Sequence, residues 1–274
     1  MIIDGHAHAC GPFLQGENIV KILTEVGVDK VVLVPGERGS AQTYALPNLA
    51  EAFPERDVVR LTNALTRIMI SLTGKAKDIP DGNQHVFALS QAYPERIIQF
   101  FWVSLHKPDT VKEMQNRFAE WRFKGIKLHQ CWETFRIGSE IFSRVAQFAT
   151  EKDLPIFIHV RNYRDVSALI EYSVQHPATK FIVGHLFGLE LYLQSKNKLE
   201  NLYFEISNTY LVSTERVSKA INCFGAHKII LGSDTPYGRN SLQLNTERVK
   251  MLPISDEAKE MILGKNMQTL LGLH

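Results

Sequence analysis

Apolar residues along the 274-residue chain fall into two alternating patterns. Short β-branched runs read as strands, and longer stretches with apolar residues three and four apart read as helices with one buried face. "MIID" opens the series. Ile19, Ile22, Leu23 and Val26 then recur at helical spacing, and Gly27 closes that helix. "KVVLVPG" is apolar at consecutive positions, as a strand buried on both faces must be. "IIQFFWVS", "GIKLH", "LPIFIHV", "KFIVGH", "LYFEISN" and "KIILGSD" follow, each succeeded by helical sequence. Eight buried strands with a helix after each predict a (β/α)8 TIM barrel, a single domain over residues 1–274. A doubly wound open sheet is the structural rival. It often has a Gly-rich first turn, and "DGHAHACGP" is no GxGxxG.

One segment breaks the repeat. Residues 37 to 80, roughly, form an insertion after the second strand. Within it Val58, Leu61, Leu65, Ile68 and Leu72 alternate spacings of three and four, a narrow stripe like a coiled-coil seam. Three readings stay open: a helix packed on the barrel surface, a lid over its mouth, or a contact between two copies in a homodimer.

Composition narrows the class. With 45% hydrophobic and 22% charged residues, the chain has the means for a packed core. A net charge of +2 gives no reason to expect nucleic acid. Cys10, Cys131 and Cys223 are odd in number and scattered, so no disulfide framework is expected, which suits a reducing cytosol. No apolar run approaches the ~20 residues that span a bilayer. Asp4 interrupts the first apolar run, and no basic segment precedes it, so no secretory signal is expected. The expectation is a cytoplasmic protein acting on a small molecule, without membrane partners.

The histidines then become informative. His6, His8, His106, His129, His159 and His185 fall at or just beyond strand C-terminal ends, which meet at one mouth of a barrel. Asp234 ends the eighth strand, beside the first once the barrel closes. Residues i and i+2 of a strand share a side, so His6 and His8 both face inward. Two neutral imidazoles on one side can share a metal. His159 and Asp234 could complete a site that keeps a position open for water or substrate. Each element alone has a plainer reading, such as a satisfied strand-end histidine or a "GSD" turn. Their joint placement at one mouth favours the metal.

"IIDGHAHACGP", "AYPERII", "GIKLH", "LPIFIHV", "FIVGHLFG", "ILGSDTPYG" and "AKEMILGKNMQTLLGL" span nearly the whole chain in order. Together they resemble the amidohydrolase superfamily, in particular the amidohydrolase-related branch that includes aminocarboxymuconate semialdehyde decarboxylase. The resemblance implies that His6, His8, His159 and Asp234 bind a divalent metal, with zinc the expected ion. It implies that Asp234 also accepts a proton and that His185 moves protons beside the metal. Asn266 matches the family's closing helix. Lys127 matches a lysine that is carboxylated and bridges two metals in binuclear relatives. "GHLFG" departs from the commoner Gly-rich form, because Phe187 replaces a small residue and is expected to narrow the pocket.

Further candidates rest on position. Arg161 and Arg239 are candidate bidentate clamps for a substrate carboxylate. Trp102, His129, Trp132, Phe135 and Tyr237 are candidate pocket walls. Cys10 is displaced from the His pair and makes a poor ligand. The expected activity is hydrolysis of a small carboxylate-bearing ester, lactone or amide by metal-activated water. The first alternative is a metal-dependent non-oxidative decarboxylase of an aromatic or unsaturated acid. The second is a non-catalytic binding protein with a degenerate site.

Overall fold

The structure, a computed structural model, describes residues 1–37, 39–73, 79–107 and 109–273. Among these, eight parallel strands form one sheet in the order β1 to β8. They are β1 (Ile3–Ala9), β2 (Lys30–Pro35), β3 (Ile97–Trp102), β4 (Gly125–His129), β5 (Ile156–His159), β6 (Phe181–Val183), β7 (Leu202–Glu205) and β8 (Ile229–Ile230). Helices alternate with them, as a (β/α)8 barrel requires. They are α1 (Gly16–Val26), α2 (Leu49–Ala52), α3 (Val59–Thr73), α4 (Ile79–Ala92), α5 (Thr110–Trp121), α6 (Glu140–Glu151), α7 (Tyr163–Gln175), α8 (Leu189–Gln194), α9 (Thr214–Phe224), α10 (Ser241–Met251), α11 (Asp256–Glu260) and α12 (Asn266–Leu270). Several helices start where a side chain can take the place of a missing backbone acceptor. Ser139, Asn162 and Ser213 each accept from the backbone N–H three residues on, at the heads of α6, α7 and α9.

Strand alternation sorts the core into two layers. Val32, Val34, Phe100, Trp102 and Phe157 pack inside the barrel, where Met267 and Leu270 of α12 join them. Their neighbours in sequence, Val31, Leu33, Phe101, Ile156 and Ile158, pack outward against helices. The same alternation turns Lys127 and His129 inward beside Trp102, and His159 inward beyond Phe157.

Closure of the barrel brings the two ends of the chain together. Gly5 N–H donates to the Leu231 carbonyl at 2.8 Å, Asp234 N–H to the His6 carbonyl at 2.8 Å, and His8 N–H to the Thr235 carbonyl at 2.8 Å. Asp4, fully buried, adds a side-chain tie. Its carboxylate accepts from Ser233 N–H at 2.8 Å and Ser233 Oγ at 2.7 Å.

The insertion is α2 and α3; α4 packs on β2 and β3 as the regular barrel helix. Part of the segment read from sequence as the insertion, residues 38 and 74–78, lies outside the described residues. α3 sits over the barrel mouth, but not by its apolar stripe. Val58 is buried, whereas Leu61, Leu65, Ile68 and Leu72 are 55%, 57%, 59% and 81% exposed. The stripe therefore does not pack on the barrel's own surface. Val59, Asn63 and Ile70 form the buried face instead. At the start of α3, buried Asp57 accepts from Gly188 N–H at 2.7 Å and lies 3.7 Å from the Arg216 guanidinium. Burial pushes that carboxyl up to about 6, against the opposing pull of Arg216.

Gly5 tests the closing seam. A Cβ there would sit 2.6 Å from Ile230 Cγ2 and 2.7 Å from the Leu231 carbonyl oxygen. Gly5→Ala is expected to cost about 2 kcal/mol through overpacking. That corresponds to roughly 4–8 °C in a thermal melt of a chain this size. An unchanged melting temperature would contradict the close approach.

Candidate metal centre

The mouth holds a crowded set of imidazoles around one carboxylate. Asp234 Oδ1 lies 3.4 Å from His6 Nε2 and 3.4 Å from His8 Nε2. His8 Nδ1 is 2.8 Å from the Pro35 carbonyl, which can only accept, so that nitrogen carries the proton and Nε2 keeps its lone pair. Asp234 adopts a left-handed backbone at φ 56°, a conformation aspartate tolerates better than most side chains. The seam bonds to His6 and the Tyr237 N–H on the Asp234 carbonyl hold it there.

His159 and His185 form a second pair, with His185 Nε2 3.1 Å from His159 Nδ1. Their outer nitrogens are both committed. His185 Nδ1 donates to the Ser207 carbonyl at 3.0 Å. His159 Nε2 lies 2.7 Å from Asn63 Oδ1. The Asn63 amide is oriented by its NH2, which donates to the carbonyls of Val160 at 3.0 Å and Arg161 at 3.2 Å. Asn63 Oδ1 must therefore accept, and His159 carries its proton on Nε2. The two remaining lone pairs, His159 Nδ1 and His185 Nε2, face one another. Such an arrangement is repulsive unless a proton or a cation lies with them.

These contacts fit a metal. Two donors each about 2.1 Å from one ion stand about 3.0–3.4 Å apart, the spacing seen within both groups. His6, His8 and Asp234 form a cluster whose ligand atoms all lie within 4.8 Å of one another. His129, Cys131 and His159 form another by distance. There, however, the two imidazoles are stacked at 4.0 Å and 10°. Ring lone pairs lie in the ring plane, so stacked rings aim them in parallel and not at one ion.

Burial sets the electrostatics. His6, His129 and His159 are held well below the ordinary imidazole value, chiefly by burial and then by neighbouring positive charge. They are neutral, as ligands must be. Lys127 Nζ sits 3.2 Å from His6 Nε2 and 4.0 Å from the Phe157 ring centroid. Burial brings that amine down to about 7. Burial also raises Asp4 to about 7 and moves Glu205 upward. Burial works against ionised Asp234 too, yet the surrounding histidines, His185 foremost, outweigh it and hold the carboxyl low.

A cavity of about 120 Å³ opens on His8, His129, His159, His185 and Asp234. Trp132 and Tyr237 wall it, with Leu46, Leu211 and the α3 residues Val59, Thr62, Asn63, Thr66 and Met69. Other candidates stand elsewhere. Trp102 lies behind His129, stacked on it at 5.5 Å and 4°. Arg161 pairs with Asp165 at 2.9 Å and lines a separate cleft of about 590 Å³ with Phe135. Arg239 lines a third cleft of about 540 Å³ between α1 and α10. His106 is exposed. Phe187 does not narrow the cavity; it is fully buried in the outer core, against Tyr163. Asn266 donates to the carbonyls of Ala226 and Ile229, each at 2.8 Å, and secures α12 below the barrel.

Three residues with a role here were not singled out by motif. Asp4 and Glu205 were legible from inward alternation at strand ends. Glu205 accepts from His185 N–H at 3.1 Å and Ser207 N–H at 2.6 Å, bracing the left-handed turn at His185. Asn63 had no such signal, because it meets His159 across 96 residues of chain.

The chain belongs to the amidohydrolase family, whose model matches residues 3–273. No curated protein matches it. Among solved structures it is similar to a dihydroxybenzoic acid decarboxylase from Polaromonas sp. JS666 with bound manganese and the inhibitor 2-nitroresorcinol. The TM-score is 0.72 at 15% identity, over 99% of this chain and 97% of that one. It is similar to 5-carboxyvanillate decarboxylase from Sphingomonas paucimobilis, with a TM-score of 0.70 at 13% identity over 100% and 99%. It is also similar to 4-oxalomesaconate hydratase from Rhodopseudomonas palustris, with a TM-score of 0.66 at 14% identity over 99% and 96%. Likeness at these identities is likeness of fold.

Two expectations follow. Asn63→Ala frees His159 to rotate and change tautomer, so metal affinity should fall about 10–100-fold in a competition titration against a chelator. Unaltered affinity would remove Asn63 from the site. His129 is neutral when folded but takes a proton below pH 6.5 when unfolded, so its stabilising contribution is complete above 6.5 and is lost as the pH falls. In chelator-treated protein, the stability advantage of wild type over His129→Gln should shrink by up to about 1.4 kcal/mol for each pH unit below 6.5. Urea unfolding at stepped pH measures it; an advantage that grows in acid contradicts the assignment.

Proposed function

We propose that the protein is a metal-dependent lyase that removes CO2 from a small, planar, unsaturated or aromatic carboxylic acid. The observation that carries this reading is the cavity. It measures about 120 Å³ and meets His8, His159, His185 and Asp234 at one end. A cavity of about 150 Å³ takes a benzene ring, so the space suits one ring-sized molecule. Leu46, Val59, Trp132, Leu211 and Tyr237 give it flat and apolar walls. No arginine or lysine is among the described residues lining it, so a substrate carboxylate finds its counter-charge at the metal-donor end. Decarboxylase relatives of the same fold add support.

His6, His8, Asp234 and His159 would hold the ion. A divalent ion there supplies a Lewis acid for the substrate carboxylate and the charge left behind. Zinc suits the nitrogen-rich donors, and manganese is bound in a relative of the same fold. The rest of the chemistry falls to the chain. The bond to CO2 breaks, its electron pair stays on the substrate carbon, and a proton takes the vacated position. His185 delivers that proton. Its Nδ1–H is anchored on the Ser207 carbonyl, leaving Nε2 as the exchanging position, and Glu205 Oε2 lies 3.7 Å from Nδ1. Lys127 Nζ lies 3.2 Å from His6 Nε2, an amine that burial brings down to about 7.

Hydrolysis of a small carboxylate-bearing ester, lactone or amide is the second reading. One contact favours it: Asp234 Oδ1, 3.4 Å from both His6 and His8, is placed to accept a proton from an attacking water.

Supplied with zinc or manganese, the purified protein should release CO2 from hydroxylated benzoates or short unsaturated acids. Asp234→Asn and His185→Asn should each lower kcat about 10²–10⁴-fold, with only the former also lowering metal content. Turnover of esters or lactones without CO2 release would replace this reading with the second.

A further inference from the structure

α3 is built with its apolar positions on the solvent side. Leu61, Leu65, Ile68 and Leu72 all point away from the barrel and are more than half exposed. With Met69, 48% exposed, they are half of the large hydrophobic side chains left exposed among the described residues. Isolated exposed leucines need no explanation, but a contiguous row along one helix marks a contact surface. The opposite side of the same helix holds Thr62, Asn63 and Thr66, which line the catalytic cavity.

The order of the row says what covers it. Its spacing is four, three, four, which reads the same from either end. A twofold axis facing the midpoint between residues 66 and 67 therefore sets Leu61 against Leu72 of a second copy, and Leu65 against Ile68. Half-exposed Met69, which also lines the cavity, lies at the edge of the row. Charge agrees with this pairing. Arg60 and Arg67 are the charged residues of α3, and under that axis neither stands opposite an arginine. No charge falls on the row itself. Alternating spacings of three and four are those of two helices in a left-handed pair. A self-complementary patch is what a twofold interface demands. If each of the four side chains hides on the order of 100 Å², the row supplies about 400 Å² per copy. That is about half of the roughly 800 Å² per partner that a stable interface uses, with the rim left to neighbouring residues.

We propose that two copies of this chain pair through the outer faces of α3, antiparallel, about that axis. The interface backs directly onto the cavity, so the second copy clamps the helix that presents Asn63 to His159. This does not depend on which reaction the site performs.

Sedimentation or light scattering of the full chain at micromolar concentration tests it. Wild type should weigh twice the 31.1 kDa chain mass. Leu65→Glu should halve that mass while its circular dichroism stays that of wild type. A second variant covers the case in which Leu65→Glu does not fold. Leu65→Cys with Ile68→Cys, in a Cys223→Ser background, should run as a covalent dimer after oxidation and as a monomer after reduction. Three results would overturn the proposal. Wild type could be monomeric throughout, including a monomer that binds lipid vesicles or a different protein through this face. Leu65→Glu could keep the full dimer mass. The paired cysteines could fail to cross-link in a dimeric protein.

Discussion

Five imidazoles and a carboxylate can share one barrel mouth only if most of the rings are uncharged. Each added proton would repel the next at centroid separations of 4.0–6.0 Å. Burial keeps His6, His129 and His159 neutral, and hydrogen bonds to acceptors that cannot donate decide which nitrogen of His8, His159 and His185 stays bare. Pro35, Asn63 and Ser207 thereby prepare the donor set, although none of them needs to touch an ion. The acid–base character of the mouth is thus fixed by groups one step removed from it.

Asn63 makes the insertion part of the site and not a cover laid over it. α3 inverts the usual logic of an amphipathic helix on a barrel. It turns Asn63 toward the cavity among Val59, Thr62 and Thr66, and leaves Leu61, Leu65, Ile68 and Leu72 outside. Asp57 and Arg216 tie its base to the loop after β6, so the tautomer of His159 is coupled to how the insertion seats on the rim.

Much of this was legible in the chain. The eight apolar runs mark the strands, inward alternation turns His6, His8, His129 and His159 to one mouth, and His185 and Asp234 reach it from the turns just past β6 and β8. The same rule, carried one step further, reaches Asp4 and Glu205. It fails for His106, which lies past the end of β3, where alternation no longer constrains direction. Arg161 had a local clue in Asp165, four residues on, a spacing at which opposite charges meet along a helix. What could not be read is the orientation of α3. A periodic stripe locates a helix face but not what covers it, and the covering depends on contacts such as Asn63 with His159 that no local pattern encodes. Phe187 shows the same limit: its bulk was visible, but the direction it points is a property of the turn at His185.

The tie between Asp4 and Ser233 spans 229 residues. Contacts of such long range form late, because the intervening chain must be ordered before they repay their entropy. His6 and His8 are made before their carboxylate partner, which follows only after β2 to β8. The metal centre is therefore an assembly of the finished barrel. Metal bound there would act as a clasp on the seam between β1 and β8, stabilising the closed barrel by its own binding free energy.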